Sequence, residues 1–170
     1  MELAGSTRTR NRGSRAATRD GFNEWVRPHW SVMYACAIVQ AAPGEADDVV
    51  QEALIAAWRK WAQFDAERGS PRAWLVAIVL DQSRKSHRKR HAPASVDVDA
   101  PASDEIADLD LRRAVNALPP RQRLAVELHY FVQLRVTEVA TLMSCSEGTV
   151  KACLSAARAN LRASLGDDFR

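Results

Sequence analysis

The 170-residue sequence predicts an all-α protein: two small helical domains joined by a flexible acidic linker, the C-terminal one a helix-turn-helix. Three observations carry that expectation. Apolar residues recur at helical spacing, and alternating β-branched runs are missing. Gly44, Gly69, Gly148 and Gly166 fall at expected helix ends, while the remaining glycines lie within the first 21 residues. Ala92–Glu105 (APASVDVDAPASDE) holds two prolines, four acids and no base, the composition of a tether.

Residues 1–20 carry Arg8, Arg10, Arg12, Arg15 and Arg19 among Gly, Ser and Thr with no apolar period, so a disordered basic tail is expected. Helical spacing with aromatic content (Phe22, Trp25, Trp30, Tyr34) runs from Phe22 to about Ala42. Pro28 suits the restart of a helix there, and Pro43-Gly44 forces a turn. The next helix, Glu45 to about Trp61, has a core stripe of Val50, Leu54, Ala57, Trp58 and Trp61. Asp48, Gln51, Glu52, Ile55 and Arg59 fall on its outward face. Acids in a first turn complement the helix dipole, which accounts for Glu45, Asp47 and Asp48. The dipole does not account for Ile55, an apolar side chain amid polar ones, which is the composition of a protein-docking patch.

Phe64–Ser70 reads as a loop, and Pro71 opens a helix running to about Arg90. Ala73–Leu80 is apolar all round and therefore buried, whereas Arg84–His91 is basic almost throughout. A helix anchored at one end and positively charged at the other is suited to a polyanion. Asp81 and Lys85, four apart with the acid first, are spaced for a surface pair.

The linker divides the chain into residues 21–91 and 106–166, each about 60–70 residues and small enough to bury only ~60% of its unfolded surface. Ile106, Leu109, Leu111, Val115 and Leu118 mark a helix stopped by Pro119-Pro120. Arg121–Phe131 marks another, with Leu124, Ala125, Leu128 and Phe131 inward. Val136–Met143 is a short helix ending in a tight turn at Ser144-Cys145, and Ser146 N-caps the long helix that follows. In that helix Val150, Leu154, Ala157 and Leu161 form one stripe. Gly148, Ala152, Ser155 and Ala159 make a small opposite face, and Lys151, Arg158 and Arg162 line a flank. This is the pattern of a helix-turn-helix that reads DNA.

Several classes are excluded by composition. Net charge is +3, mild as a total but segregated along the chain. Cys36, Cys145 and Cys153 are isolated and odd in number, fitting reduced thiols in a cytoplasmic protein. No apolar run approaches the ~18 residues of a membrane span. No apolar core follows the N-terminal arginines, so neither membrane insertion nor a signal peptide is expected. The chain lacks a P-loop and a metal-spaced Cys/His set, and no catalytic residue, metal or cofactor is expected. His87 and His91 lie in a solvated basic run, and His29 and His129 read as structural.

Taken in order, Ala46-Asp47-Asp48-Val49-Val50-Gln51-Glu52-Ala53, Arg72-Ala73-Trp74-Leu75 with its basic continuation, Leu118-Pro119-Pro120-Arg121-Gln122-Arg123 and Ser146-Glu147-Gly148-Thr149-Val150-Lys151 resemble the extracytoplasmic-function (ECF) group of bacterial sigma-70 factors over about residues 21–165. The resemblance implies a non-catalytic subunit that binds core RNA polymerase, through its largest subunits, and directs it to promoter DNA. It implies docking through Asp47, Asp48, Gln51, Glu52 and Ile55. It implies contact with the −10 element through the base-capturing loop Glu67, Arg68, Gly69 and Ser70 and through Asp81, Arg84, Lys85 and Arg88 on the following helix. It implies −35 reading through Gly148, Thr149, Lys151, Ala152, Ser155 and Arg158. Relatives commonly carry Asn and Asp where this chain has Asp81 and Lys85. Asp81 could accept from a cytosine amino group or simply pair with Lys85. Cys153 and Ala156 stand where relatives often have arginine, which implies a weaker or altered −35 contact supported by Lys151 and Arg158. An anti-sigma protein is an implied inhibitor. The competing reading is a helix-turn-helix regulator that never binds the polymerase core.

A geometric check needs no resemblance. The 14-residue linker reaches at most ~50 Å, and each domain has a radius of gyration near ~11 Å. Together they span on the order of 80 Å, comparable with ~25 base-pair steps of ~3.4 Å.

Overall fold

The computed structural model describes residues 18–90 and 106–165. The basic tail up to residue 17, the linker 92–105 and the residues after 165 lie outside the described residues. Among the described residues every regular element is helical.

α1 (Arg19–Val26) begins inside the segment expected to be tail, because Thr18 caps it: its hydroxyl accepts from Gly21 N at 3.2 Å. A 3-10 turn at Arg27–His29 holds Pro28, and α2 (Trp30–Gln40) restarts beyond it. Gly44, at φ +80°, makes the turn into α3 (Ala46–Lys60). A 3-10 turn at Trp61–Gln63 and a loop then lead to α4 (Pro71–Arg90). α4 packs across both α2 and α3. Its Leu75, Val76, Ile78, Val79 and Leu80 join Met33, Cys36, Ala37, Val50, Ala53 and Ala57 in one core.

The core has an aromatic base that the helical periodicity does not reveal. Trp25 lies within 6.2 Å, centroid to centroid, of Phe22, His29, Trp61, Phe64 and Trp74. Trp58 belongs to the same cluster through Phe22 and Trp61. Trp58 is nevertheless 38% exposed, so it borders the core instead of filling the stripe assigned to it.

In the second half, α5 (Ile106–Ala117) and α6 (Pro120–Val126) pack with α7 (Val136–Leu142) against α8 (Glu147–Leu165). α6 does not run on to Phe131 as a regular helix. Glu127–Phe131 forms a π-turn, closed by Val132 N donating to Glu127 O at 2.9 Å. The wider turn shifts the register, so Leu128, Val132 and Leu134 are buried. Phe131, expected inward, is 42% exposed.

Candidate docking and nucleic-acid faces

The exposed face expected to dock follows from which side of α3 is used by the core. Val49, Val50, Ala53, Ala57 and the adjoining Trp61 face inward, leaving Asp47, Asp48, Gln51, Glu52 and Ile55 exposed on the other side. Ile55 is 46% exposed, an apolar point within a charged surface. The patch does not stand alone. Asp48, Gln51, Glu52 and Ile55 form one wall of an open cleft of about 620 Å³ whose other wall is Gln82, Lys85, Ser86, Arg88 and Lys89 of α4. One cleft therefore joins the acidic residues of α3 to the basic end of the next helix. Ser86 holds the walls together by donating to Glu45 Oε2 at 2.6 Å, and His87 Nε2 lies 3.0 Å from Gln40 O. Asp47 differs from its neighbours: it accepts from Tyr34 Oη at 2.6 Å, which fixes its carboxylate and raises the Tyr34 pKa.

The loop before α4 is shaped by Asp65, whose carboxylate accepts from Glu67 N at 3.0 Å and whose carbonyl accepts from Arg68 N at 3.2 Å. Glu67, Arg68 and Gly69 are exposed. Ser70 N-caps α4, its Oγ accepting from Ala73 N at 3.1 Å. On α4, Arg84, Lys85 and Arg88 are exposed, while Ser83 is buried and bonds back to Val79 O. Asp81 pairs with Lys85 at 2.7 Å, and that hydrogen bond holds its carboxyl below the usual range. In the free protein the pairing role of Asp81 is therefore filled.

α7, turn and α8 make the expected helix-turn-helix. Cys145 N donates to Ala140 O at 3.0 Å and Ser144 N to Thr141 O at 3.2 Å, a Schellman closure with Ser144 in the left-handed region at φ 52°. Ser146 Oγ accepts from Thr149 N at 3.1 Å, the cap expected of it. Val150, Leu154 and Ala157 are buried, and Leu161 and Cys153 lie at the edge. Gly148, Lys151, Ala152, Ser155, Ala156 and Arg158 share the exposed surface. Thr149 is half-buried, with its Oγ1 2.9 Å from Ser146 Oγ, so it serves the cap before any ligand. A Cβ at Gly148 would meet only Ser146 Oγ at 3.7 Å, so the fold leaves room there for a larger residue.

Sequence reasoning missed a polar seam between the halves. Gln40 Nε2 donates to Glu127 Oε2 at 2.6 Å, Ser70 Oγ to Glu138 Oε1 at 2.6 Å, and Arg72 Nη2 to Val132 O at 2.7 Å. Glu127 is only 8% exposed. Burial raises its pKa, opposed by the Gln40 hydrogen bond and the Arg123 charge. Burial, with the Glu127 charge, pushes the Cys36 thiol up to about 12. The signal available in the sequence was a carboxylate set within the apolar run Leu124–Leu128, and an arginine just before another apolar run at Ala73. The lone histidines are structural as expected: His129 Nδ1 lies 2.9 Å from Leu134 O, and His29 packs edge-on to Trp25.

No helix among the described residues is long and apolar enough to cross a membrane. Comparison with known proteins agrees with the geometry. The sigma-70 region 2 model matches residues 24–92, and the sigma-70 region 4 model matches residues 108–161. The chain is 32% identical over 136 residues to the ECF RNA polymerase sigma factor SigK of Mycobacterium tuberculosis strain H37Rv, covering 70% of this chain and 71% of that one. It is 28% identical over 141 residues to the SigK of Mycobacterium sp. strain KMS, covering 73% and 72%. Among solved structures, CnrH in complex with the cytosolic domain of CnrY superposes with a TM-score of 0.68 at 29% identity, over 89% of this chain and 91% of that one. The sigma factor RpoE from Bartonella quintana, in complex with the anti-sigma factor NepR, gives 0.68 at 27% identity, over 89% and 99%. An acidic and apolar face beside a basic helix, followed by a capped helix-turn-helix, is thus joined by sequence kinship across most of the chain, and the protein belongs to the ECF group of sigma-70 RNA polymerase sigma factors.

Proposed function

We propose that this initiation factor docks on core RNA polymerase through Asp47, Asp48, Gln51, Glu52 and Ile55 and contacts promoter DNA at two separate elements. The loop Glu67–Ser70, with Asp81, Arg84, Lys85 and Arg88, engages the −10 element. Gly148, Thr149, Lys151, Ala152, Ser155 and Arg158 engage the −35 element. The observation that carries this reading is the shared cleft, in which acidic and apolar docking residues face the basic end of α4. Polymerase bound on one wall would hold −10 DNA against the other. The small residues at positions 148, 152 and 155 let a duplex approach α8 closely, while Lys151 and Arg158 meet its phosphates. An anti-sigma protein masking these faces fits the two solved relatives, one determined with the cytosolic domain of CnrY and the other with the anti-sigma factor NepR. Such a role places the chain in the cytoplasm.

Capture by core polymerase tests the first half, and run-off transcription with core polymerase on a random promoter library tests the whole. Asp48→Arg, Glu52→Arg should abolish capture. Unchanged capture removes α3 as the docking face. A regulator that uses only its helix-turn-helix would not be captured even as wild type.

A further inference from the structure

Docking and promoter contact leave two groups of basic residues without a role. One is the stretch before α1, where residues 1–17 hold Arg8, Arg10, Arg12 and Arg15 against a single acid, Glu2. The other is the end of α3, where Arg59 and Lys60 are exposed. The dipole of α3 favours cations at its C-terminal end, so Arg59 and Lys60 have an ordinary explanation on their own. The arginines before α1 have none. They lead into the N-terminal end of a helix, where the dipole disfavours positive charge, and where Thr18 and Asp20 already supply the cap and the acid. Arg19, exposed in the first turn, adds to the same excess.

The fold brings the two groups together beside the face assigned to the −10 element. Phe22 N donates to Thr18 O at 3.1 Å, so the Phe22 ring sits one helical turn beyond the cap. That ring meets Trp58 and Trp61 at 5.3 and 5.4 Å, the two tryptophans that flank Arg59 and Lys60 in sequence. Trp25 of the same short helix meets Phe64 at 5.2 Å and Trp74 at 5.8 Å, on either side of the loop Glu67–Ser70. α1 therefore lies against both the end of α3 and the base of that loop. Lys60 also acts on α4. The Lys85 hydrogen bond does most to hold the Asp81 carboxyl below its usual range, and the charge of Lys60 adds to it along with those of Lys85 and Arg88. At ~3.4 Å per residue, Arg15 reaches at most ~10 Å from Thr18 and Arg8 at most ~35 Å, about ten base-pair steps.

We propose that Arg8, Arg10, Arg12 and Arg15 form, with Arg59 and Lys60, an auxiliary phosphate-binding track that continues the −10 face along promoter DNA and grips its backbone without reading bases. The proposal rests on the promoter-binding reading above. A cationic stretch beside a cationic face repels it, whereas a polyanion laid across both turns that repulsion into attraction and releases counterions from the DNA. Arginines in a stretch without apolar periodicity supply charge and not a rigid base-reading surface, so their contribution is indifferent to sequence.

The test measures holoenzyme binding across salt concentrations, on a promoter selected from the random library and on a scrambled duplex of equal length. In the variant Arg8→Ala, Arg10→Ala, Arg12→Ala, Arg15→Ala the log–log salt slope should fall by about three units on both duplexes. Raising salt from about 50 to about 200 mM should then cost the parent about 60-fold more affinity than the variant. Arg59→Ala, Lys60→Ala should lower the slope by about one to two units. Capture of the four-arginine variant by core polymerase should match the parent's. An unaltered slope overturns the track, and weaker capture with an unaltered slope assigns the arginines to the polymerase instead. A loss confined to the promoter and absent on the scrambled duplex overturns backbone binding as their role. Arg88→Ala, on α4, tests the −10 reading by itself, so failure of that reading and failure of the track show in different variants.

Discussion

The two halves each present a helix proposed to contact DNA, but they hold it by different means. The first half embeds the start of α4 in an aromatic cluster of Phe22, Trp25, Trp58, Trp61, Phe64 and Trp74, and its sharp turn is made by a glycine, Gly44. The second half holds α8 with small aliphatic contacts, Val150, Leu154 and Ala157. Its two sharp turns force non-glycine residues, Gln133 and Ser144, to φ 58° and 52°. A left-handed L-residue costs roughly 1–2 kcal/mol, so the second half carries strain that the first avoids. The first half is built as a rigid platform. The second is a lighter body held in shape by turn hydrogen bonds.

The largest effect should come from the platform. Trp61→Ala removes a 6%-exposed ring at the centre of the cluster and should lower stability by about 3–5 kcal/mol in urea titrations followed by circular dichroism. Phe131→Ala, an aromatic of the second half that faces out at 42% exposure, should cost under about 1 kcal/mol. Similar losses for both would end the contrast. In the second half, Lys151→Ala should weaken holoenzyme binding to promoter DNA and flatten its log–log salt dependence by about one unit. An unaltered slope means that Lys151 touches no phosphate.

Relief of turn strain should be smaller. Ser144→Gly keeps the Schellman closure without the Cβ clash and should raise stability by about 0.5–1 kcal/mol, net of the glycine's freedom when unfolded. The smallest effect concerns pH. Burial raises the Glu127 carboxyl above its ordinary 4.5, so the folded chain holds that proton more tightly than the unfolded chain does. The resulting stabilisation is complete below the ordinary value and is lost as pH climbs through the raised one. Glu127→Gln should flatten this part of the stability profile and be no less stable than the parent at neutral pH. A profile parallel to the parent's would mean that Glu127 titrates alike folded and unfolded.

Much of this was legible in the sequence because breakers and caps are local. Pro28, Pro43-Gly44, Pro71, Pro119-Pro120 and Ser146 each sit at a helix boundary. The outward set on α3 and the small face of α8 followed from a fixed angular period. Periodicity failed where the period itself changed, as the π-turn at Glu127–Phe131 turned Phe131 outward. It was also blind to contacts between distant residues. Neither the ring cluster nor the bonds from Gln40, Ser70 and Arg72 leave a mark at a spacing of 3.6, because their partners lie 87, 68 and 60 positions away. Thr18 extended α1 beyond its apolar stripe, since a cap acts through one hydroxyl and not through hydrophobicity.

The aromatic cluster also makes the molecule optically lopsided. All five tryptophans, Trp25, Trp30, Trp58, Trp61 and Trp74, precede the linker, and none follows it. Indole emission therefore reports on the platform alone, even in the intact chain. Trp74 lies on the first turn of α4, four residues beyond Ser70, with Phe64 5.3 Å away across the loop. Any rearrangement of that loop acts directly on a fluorophore, so a change in emission on adding DNA or polymerase can be followed without attaching a label.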